Sequence, residues 1–277
     1  MEKQVQIVVG GTSGMGLALA KALKDFGPVL IGGRSPKKLE AALAELKEAG
    51  AQAYGKTVDI SDRASMDEFA AWAKEFGQLD NIINAAGVDA GGGELITNIN
   101  YKGTVNFTEA FYPYADNARV VNFSSVTGYF YRPTPEDIVL WNNPNDPDFA
   151  KKVCAHLDAQ ELDPRLLHMG RDYVYYTSSK RFVMYYTQAN TKRFGKKNAQ
   201  IFSVAPGAFD TPMLRESSDE DVTSFVANTA FQRPGTPEEM ASFVVGLLSK
   251  EHPYLTGVDL VLDGGLVAMA TIPQLPE

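Results

Sequence analysis

The sequence predicts an α/β protein in which helices cover both faces of a doubly wound parallel sheet. Short runs rich in β-branched residues alternate with segments of helical spacing along most of the chain. Runs such as "RVVNF" are almost continuously apolar, which is typical of strands buried on both faces. A glycine-rich turn separates the first strand from the first helix. We expect one domain over residues 1–277, since a chain of this length can bury a single large core.

The predicted elements follow one another in a regular order. "VQIVVGG" predicts a strand and "LALAKALKDFG" a helix. "PVLIGGR" predicts the second strand, and "PKKLEAALAELKEAG" a helix that Pro36 opens and Gly50 closes. "AQAYGKTVDI" predicts the third strand, and Ser61 is the expected N-cap of the helix that follows. The remaining strands, "LDNIINAAG", "ARVVNFSSV", "AQIFSVAPG" and "GVDLVLDGG", alternate with helices around 97–114, 173–194 and 237–250.

One connection is too long for a simple turn. The segment at about 130–172 is rich in proline, aspartate and asparagine, and we interpret it as an insertion. A short helix is predicted inside it at "FAKKVCAHLDAQEL". Trp141, Phe149 and Val153 argue against full disorder, because disordered segments are poor in such side chains.

Composition excludes several classes of function. The net charge of −8 argues against a nucleic-acid partner, because phosphate backbones attract basic surfaces. No apolar run is long enough to span a bilayer, and the first residues lack a secretory leader pattern, so we expect a cytoplasmic protein. Cys154 is the only cysteine, which excludes an intramolecular disulfide. Since His156, His168 and His252 are scattered, we expect no metal site.

The glycine-rich turn predicts a dinucleotide site. In "VVGGTSGMGLALA", Gly10, Gly14 and Gly16 lie between a predicted strand and a predicted helix. Glycines let the backbone turn tightly and approach a pyrophosphate, which the helix N-terminus then attracts. The alternative is a tight loop without a ligand. The position after the first strand favours the dinucleotide.

The end of the second strand indicates which dinucleotide is bound. In "IGGRSPKK", Gly33 stands where NAD-binding proteins usually place a carboxylate, and Arg34, Ser35, Lys37 and Lys38 follow. A guanidinium can hold the 2′-phosphate of NADP through two hydrogen bonds, whereas a carboxylate would repel it. We therefore expect NADP(H) to be preferred and NAD(H) to be possible. The alternative is that Arg34 only begins a solvated helix.

The stretch "DYVYYTSSK" contains three tyrosines, and their spacing distinguishes them. Only Tyr176 has a lysine four residues later, Lys180, which places the two side chains on one helix face. A nearby cation favours the phenolate over the phenol, whose ordinary pKa is about 10. Tyr176 is therefore a candidate acid/base group. Tyr173 and Tyr175 are expected to serve in packing.

Several short motifs occur in a characteristic order along almost the full length of the chain. They are "GGTSGMG" at 10–16, "NAAG" at 84–87, "NINYKG" at 98–103, "VVNFSSVTG" at 120–128, "YTSSK" at 176–180, "APGAFDTPM" at 205–213 and "GVDLVLDGG" at 257–265. Together they resemble the short-chain dehydrogenase/reductase family. The resemblance implies a Rossmann-type domain and an NAD(P)-dependent oxidoreductase that transfers a hydride between nicotinamide and a secondary alcohol or ketone.

The resemblance also implies a catalytic tetrad. Tyr176 matches the acid/base, and Lys180 matches the residue that lowers the tyrosine pKa and holds the nicotinamide ribose. Ser125 matches the residue that hydrogen-bonds the substrate oxygen, and Asn100 the one that holds a water in the proton relay. Such donors are expected, because hydride transfer to a ketone builds negative charge on its oxygen.

A larger set of residues is implied to contact the cofactor, with Asp59 at the adenine and Pro206, Gly207 and Thr211 at the nicotinamide end. The full set is Gly10, Thr12, Ser13, Gly14, Met15, Gly16, Arg34, Ser35, Asp59, Ile60, Asn84, Ala85, Ala86, Gly87, Tyr176, Lys180, Pro206, Gly207, Phe209 and Thr211. Val9 departs from the family pattern, which has a threonine there whose hydroxyl braces the turn.

A second departure is the spacing of Ser125 and Tyr176, which are 51 positions apart. Most family members have them much closer, and an insertion here resembles the bacterial 3α-hydroxysteroid dehydrogenase/carbonyl reductase group. That likeness implies a hydroxysteroid or another bulky apolar carbonyl as substrate. The insertion is expected near the active-site mouth or on the helix face that many members use to assemble. We expect a homo-oligomer, either a dimer or a tetramer.

The substrate loop is predicted at about 208–233. Its apolar residues either close over an apolar ligand or belong to the core; they are Phe209, Met213, Leu214, Phe225 and Phe231. The alternative function is a dinucleotide-sensing regulatory or binding protein with little turnover. A nucleotide-sugar epimerase is disfavoured by the glycine spacing and by the lack of a sizeable C-terminal substrate domain.

Overall fold

Seven strands form one parallel sheet, as the sequence predicts. The structure, a computed structural model, describes residues 4–160, 169–216, 223, 225–248 and 252–274. The strands are β1 (Gln4–Val9), β2 (Val29–Gly33), β3 (Ala53–Thr57), β4 (Gln78–Asn84), β5 (Arg119–Phe123), β6 (Gln200–Pro206) and β7 (Asp259–Leu262). Their spatial order is β3-β2-β1-β4-β5-β6-β7.

The strand order reverses direction at β1. Ile7 of β1 pairs with Leu30 of β2 on one side and with Ile82 of β4 on the other. The connections that leave β1 and β4 therefore diverge to opposite sides of the sheet. In open α/β sheets such a reversal creates a crevice beyond the carboxyl ends of the strands, where ligands bind. The predicted doubly wound class is confirmed.

Helices flank the sheet on both faces. They are α1 (Gly14–Ala22), α2 (Pro36–Glu48), α3 (Arg63–Lys74), α4 (Gly93–Ile96), α5 (Gly103–Phe111), α6 (Pro135–Trp141), α7 (Phe149–Ala159), α8 (Arg171–Ala189), α9 (Thr191–Gly195), α10 (Pro212–Glu216), α11 (Pro237–Leu247) and α12 (Leu266–Thr271), with a π-helical segment at Thr97–Lys102. Within the described ranges, no helix is long and apolar enough to cross a bilayer.

Two apolar layers hold the helices to the sheet. On one face, Phe69 of α3 and Phe111 of α5 pack with Ile82 of β4. On the other face, Leu19 of α1 and Met240 of α11 belong to a cluster that contains β-strand residues. Ile82 and its neighbour Ile83 belong to opposite layers, as the two-residue period of a strand requires. This explains why the central strands are continuously apolar.

The cap of α3 differs from the prediction. The N-cap is Asp62, whose carboxylate accepts the Ala64 N–H at 3.0 Å. Ser61 lies one residue earlier, and both its N–H (2.9 Å) and its hydroxyl (2.7 Å) donate to Asp59 Oδ1. The prediction of Ser61 as the cap was wrong, because its hydroxyl is already engaged by Asp59.

Three predicted helices have different ends in the structure. The one expected around 97–114 begins at Gly93 and runs through α4, the π-helical segment and α5. The one expected around 173–194 is divided into α8 and α9. The one expected around 237–250 corresponds to α11; positions 249 and 250 lie outside the described residues.

The described residues of the insertion include two helices, α6 and α7, which pack on the body of the protein. The predicted helix in it is confirmed as α7, whereas α6 was not predicted. Thr134 and Asp137 form a capping box at the start of α6, with Pro135 in its first turn. Side chains of the insertion and of the body form one buried cluster, which we call the aromatic cluster. The insertion contributes Tyr131, Trp141, Phe149, Val153 and Leu157, and the α4–α5 region and α8 contribute Ile96, Tyr101, Val105, Tyr175, Phe182 and Tyr186. The insertion therefore covers the face that α5 and α8 share.

Candidate active site

The four candidate catalytic side chains come from three elements beside the carboxyl end of the sheet. Ser125 lies two residues after the end of β5, Asn100 lies in the π-helical segment, and Tyr176 and Lys180 lie on α8. The sequence-predicted set is thus brought together from positions far apart in the chain. Among the residues that the structure describes, no group of three His, Cys, Asp or Glu side chains that could hold a metal ion occurs.

Lys180 is held in a buried position. Its Nζ donates a 3.0 Å hydrogen bond to the carbonyl oxygen of Phe123, at the end of β5. The ammonium lies 5.6 Å from the centre of the Tyr176 ring. Burial lowers the pKa of Lys180 to about 8, and the negative charge of Asp89 opposes this shift. Lys180 is therefore still mostly protonated at neutral pH.

Tyr176 has a raised pKa. Burial raises the pKa of its phenol to about 12, and a hydrogen bond with Ser125 acts in the opposite direction. The Asp89 charge and Tyr173 raise the pKa further. The lowered pKa expected from the sequence is not observed, because the loss of hydration disfavours the phenolate more than the surrounding groups favour it. At neutral pH the group is a protonated phenol.

Ser125 occupies a fixed corner after β5. Its Oγ accepts hydrogen bonds from the Thr127 N–H at 3.3 Å and from the Thr127 hydroxyl at 3.1 Å. The preceding Ser124 donates to the carbonyl of Val204 at 2.9 Å and to Asp259 at 2.7 Å. These bonds fix the backbone that presents the Ser125 hydroxyl to Tyr176.

Asn100 connects the loop after β4 to α8. Its Nδ2 donates to the Val88 carbonyl at 2.8 Å and to Ser179 Oγ at 2.9 Å, and its Oδ1 accepts the Val88 N–H at 3.0 Å. The π-helical turn around Asn100 is a local widening of the kind that often occurs at functional sites. In this structure both polar atoms of the Asn100 side chain hold protein groups in place.

The glycine turn, which we call the cradle, lies so close to neighbouring backbone atoms that a side chain on Gly10 or Gly16 would clash with them. Gly10 has φ of +84°, and a Cβ there would lie 2.5 Å from the Ala86 nitrogen. A Cβ on Gly16 would lie 2.2 Å from the Gly10 oxygen. Ser13 is the N-cap of α1 but its side chain forms no capping hydrogen bond, so the first N–H groups of the helix can bind an anion. These features fit a dinucleotide pyrophosphate.

The end of β2 presents Arg34 to solvent. Arg34 forms no ion pair with any residue that the structure describes, and Ser35 accepts the Lys38 N–H at 3.3 Å to cap α2. Thr12 packs against Gly33, where a Cβ would come within 2.7 Å of the Thr12 methyl. The turn after β1 and the end of β2 are therefore adjacent, as a single adenosine ribose site requires.

The remaining predicted cofactor residues divide between contacts with the site and contacts with the core. Asn84 accepts the Ala86 N–H at 3.2 Å, which orders the turn that contains Ala85 and Gly87. A Cβ on Gly87 would lie 3.2 Å from Lys180 Nζ. Three further predicted residues have structural contacts: Asp59 is bound by Ser61, Ile60 packs on Gly103, and Met15 packs on the α1 side of the core.

The chain that follows β6 approaches the glycine turn. The Gly207 N–H donates to the Leu262 carbonyl at 3.0 Å, just beyond Pro206. Thr211 is buried, and its methyl would lie 3.4 Å from a Cβ on Gly14. The start of the predicted substrate loop thus contacts the predicted cofactor cradle.

The substrate-loop residues divide between the two interpretations. Phe209 is a core residue that packs against Gly235, whereas Phe231 is 73% exposed. Phe225 packs on a small cluster beside the site, and Met213 and Leu214 are only partly covered. Positions 217–222 and 224 of this loop lie outside the described residues.

Sequence reasoning missed Asp89. This carboxylate is half-buried directly after the "NAAGV" stretch, and burial raises its pKa. The charges of Glu216 and Asp172 raise the pKa further, and Lys180 lowers it. The signal was an acid among the glycines of "AAGVDAGGG". Of the two tyrosines assigned to packing, Tyr175 joins the aromatic cluster, whereas Tyr173 interacts with Tyr176.

Comparison with protein-family models assigns most of the chain. A model described as short chain dehydrogenase matches residues 4–135. A second, described as enoyl-(acyl carrier protein) reductase, matches residues 166–267. The two matches leave out most of the insertion.

Curated proteins and solved structures agree with these matches. A 3-oxoacyl-[acyl-carrier-protein] reductase of Thermotoga maritima is 25% identical, covering 96% of this chain and 99% of its own. A short-chain dehydrogenase/reductase of Alternaria brassicicola is 28% identical, covering 96% of both. The structure of an actinorhodin polyketide ketoreductase with NADPH superimposes with a TM-score of 0.74 at 24% identity, over 96% of this chain and 97% of that one. Levodione reductase gives a TM-score of 0.76 at 23% identity, over 96% and 98%.

Proposed function

Because the chain belongs to the short-chain dehydrogenase/reductase family, we propose that it is an NADP(H)-preferring enzyme that interconverts a ketone and a secondary alcohol. The observation that carries the proposal is the cluster of Tyr176, Lys180 and Ser125 beside the glycine cradle. The cradle fits the dinucleotide, whose nicotinamide supplies or accepts the hydride.

The side chains divide the work of moving one proton. In reduction, Tyr176 Oη gives its proton to the carbonyl oxygen as that oxygen becomes negative, and the Ser125 hydroxyl donates a hydrogen bond to the same oxygen. The charge left on the phenolate is stabilised by Lys180, whose ammonium lies 5.6 Å from the ring centre. Asn100 holds the loop and α8 in register through Val88 and Ser179.

The protonation state of Tyr176 determines whether the residue is ready to donate or to accept a proton. With a pKa of about 12 the phenol carries its proton at neutral pH, as an acid for ketone reduction must. Alcohol oxidation needs the phenolate, so it gains from alkaline pH. At neutral pH Tyr176 is therefore in the protonated form that ketone reduction requires.

The preference for NADP(H) is supported by the end of β2. Arg34 is exposed and lacks an ion pair within the described residues, and Gly33 supplies no carboxylate that would repel a 2′-phosphate. Arg34 can therefore turn toward the phosphate and bind it through two hydrogen bonds.

The substrate is proposed to be a bulky carbonyl compound with an apolar body, as in hydroxysteroids. Partly covered apolar side chains of the substrate loop, among them Leu214 and Phe225, support an apolar wall. We also expect a homo-oligomer. The face of α5 and α8 is covered by the insertion, so assembly would use another surface.

The test is a paired fluorescence titration of the purified protein with NADPH and NADH, followed by a screen of neutral ketones. Tighter binding of NADPH together with ketone-dependent NADPH oxidation is the expected result. Tighter binding of NADH would contradict the role of Arg34. Binding of a dinucleotide without turnover of any ketone or secondary alcohol would contradict the enzymatic function and favour a dinucleotide-sensing protein.

A further inference from the structure

Asp89 lies on a loop that is fixed at both ends beside the candidate catalytic groups. Before it, the main chain of Val88 is bound in both directions by the Asn100 side chain, at 3.0 and 2.8 Å. After it, the N–H groups of Gly91 and Gly92 donate to Asp172 Oδ2 at 3.0 and 3.2 Å. The position of Asp89 is therefore set by the fold.

The same loop passes directly over Lys180. A Cβ added to Gly87 would come within 3.2 Å of Lys180 Nζ, and Asp89 follows two residues later. Asp89 is close enough to act electrostatically on both Tyr176 and Lys180. Asp89 therefore lies on a fixed loop beside Lys180, with its negative charge acting on both catalytic groups.

Among the described residues, the other charges that act on Asp89 are mostly negative. Asp172 approaches from the first turn of α8, and Glu216 from the end of α10. Lys180 is the cation that faces it, and Asp89, Asp172 and Glu216 form no ion pairs within the described ranges. Arg215, the neighbour of Glu216, is occupied by Asp210 through bonds of 2.7 and 2.9 Å.

We propose that Asp89 is a specificity-determining residue that selects substrates by charge. It favours ketones and alcohols that carry an ammonium or another hydrogen-bond donor, and it disfavours carboxylates and phosphates. The physical reason is that a half-buried carboxylate attracts a cation and repels an anion more strongly than an exposed one. This inference rests on the proposed reductase function and narrows its substrate class.

A purely structural role for Asp89 makes a different prediction. If the carboxylate served only to balance the charge of Lys180, its removal would change the turnover of all substrates by the same factor. Charge selection predicts that the ratio between cationic and anionic substrates changes. The ratio therefore separates the two roles.

The experiment measures kcat/KM for 4-acetylbenzylamine, 4-acetylbenzyl alcohol and 4-acetylbenzoate, three ketones of similar size with positive, zero and negative charge. Where turnover is too slow, the three compounds are compared as competitive inhibitors of a neutral ketone that is reduced. The variants are Asp89→Asn, Glu216→Gln and Asp25→Asn, of which the last removes an exposed carboxylate at the opposite end of the sheet.

The wild-type enzyme is expected to prefer the amine over the carboxylate by on the order of tenfold, the effect of one charge acting across a partly desolvated site. Asp89→Asn should remove most of this preference, Glu216→Gln a smaller part, and Asp25→Asn none. An unchanged ratio in Asp89→Asn, or a wild-type preference for the carboxylate, would overturn the inference and leave the proposed function intact. If no neutral aryl, cyclic or steroid ketone is reduced by the wild type, the proposed function itself fails.

Discussion

Lys180 lies one helical turn from Tyr176, with its ammonium 5.6 Å from the centre of the tyrosine ring. Burial acts on the two groups in the same sense, because it favours the neutral form of each. The pKa of the lysine falls to about 8 and that of the tyrosine rises to about 12. The pair therefore combines a neutral proton donor with a cation that can stabilise the phenolate formed after the proton has been donated.

Replacing Tyr176 by phenylalanine should remove the proton donor and leave the fold in place. We expect Tyr176→Phe to lower kcat by about 10²–10⁴-fold, the usual contribution of a positioned acid/base group, while NADPH affinity stays near that of the wild type. Steady-state kinetics and fluorescence titration measure the two effects. Tyr175→Phe is the matched control, because Tyr175 lies in the aromatic cluster. Equal losses in the two variants would contradict the assignment.

The buried lysine should make stability depend on pH. The pKa of Lys180 is lowered from 10.5 to about 8, so between these values the unfolded chain binds more protons than the folded one. The free energy of unfolding therefore rises with pH across this window, by up to about 3 kcal/mol. Tyr176 has the opposite effect, but only above its unfolded pKa of 10.0. Lys180→Met should be more stable than the wild type below pH 8 and lack the rise. Urea unfolding of the two cofactor-free proteins at a series of pH values measures the free energy of unfolding of each. The same pH dependence in both proteins would contradict the prediction.

The cradle should not tolerate a methyl group at Gly16. An alanine Cβ would lie 2.2 Å from the Gly10 oxygen, so the turn would have to open. We expect Gly16→Ala to weaken NADPH binding by roughly ten- to a hundredfold, the cost of a steric clash of 1–3 kcal/mol. Gly246→Ala is the control, since a Cβ there meets nothing within 4 Å and the residue lies inside α11. It should bind NADPH normally and gain about 0.5–1 kcal/mol of stability. Titration of both variants measures the effect, and tight binding by Gly16→Ala would show that the pyrophosphate lies elsewhere.

Removal of the Arg34 guanidinium should affect one cofactor and spare the other. Arg34→Ala is expected to weaken NADPH by roughly tenfold or more, the worth of charged hydrogen bonds to a phosphate, and to leave NADH unchanged. Lys47→Ala removes a similar charge from the far end of α2 and serves as the control. The dissociation constants of NADPH and NADH, measured for the wild type and both variants, test this prediction. Equal weakening of the two would assign Arg34 a structural role.

The aromatic cluster of the insertion should contribute to global stability. Trp141 is 1% exposed and lies against Tyr101, Phe182 and Tyr185. Trp141→Ala should lower the free energy of unfolding by about 3–5 kcal/mol, because it leaves a large cavity. Val139→Ala, on the same helix but 71% exposed, should change it by less than about 0.5 kcal/mol. Urea denaturation compares the two variants. Similar midpoints would indicate that the insertion is not part of the cooperative unit.

The features predictable from sequence were those with a local or periodic signature. The strands and the glycine turn have such signatures, and the spacing of Tyr176 and Lys180 specifies one helix face. Helix α6 was missed, although Thr134, Pro135 and Asp137 form a good start signal, because its proline-rich and acidic surroundings suggested a loop.

Other features depend on the folded environment. The raised pKa of Tyr176 results from burial, which helix spacing does not report. The proximity of Asp89 to the catalytic groups depends on the fold, which brings the loop that carries it next to Lys180. Asp62 and not Ser61 caps α3, because the Ser61 hydroxyl donates to Asp59, a contact that the sequence pattern does not report.

The packing of α6 and α7 against α5 and α8 determines whether these helix faces stay covered when the protein is diluted. Apolar helix faces can be covered by a second molecule, in which case the cover is lost as the protein concentration falls. Here the cover belongs to the same chain and is joined to α8, whose surface it protects. It remains in place at any concentration, since an intramolecular contact does not depend on the concentration of partners. The apolar face of α8, the helix that carries Tyr176 and Lys180, therefore stays covered even in a single molecule.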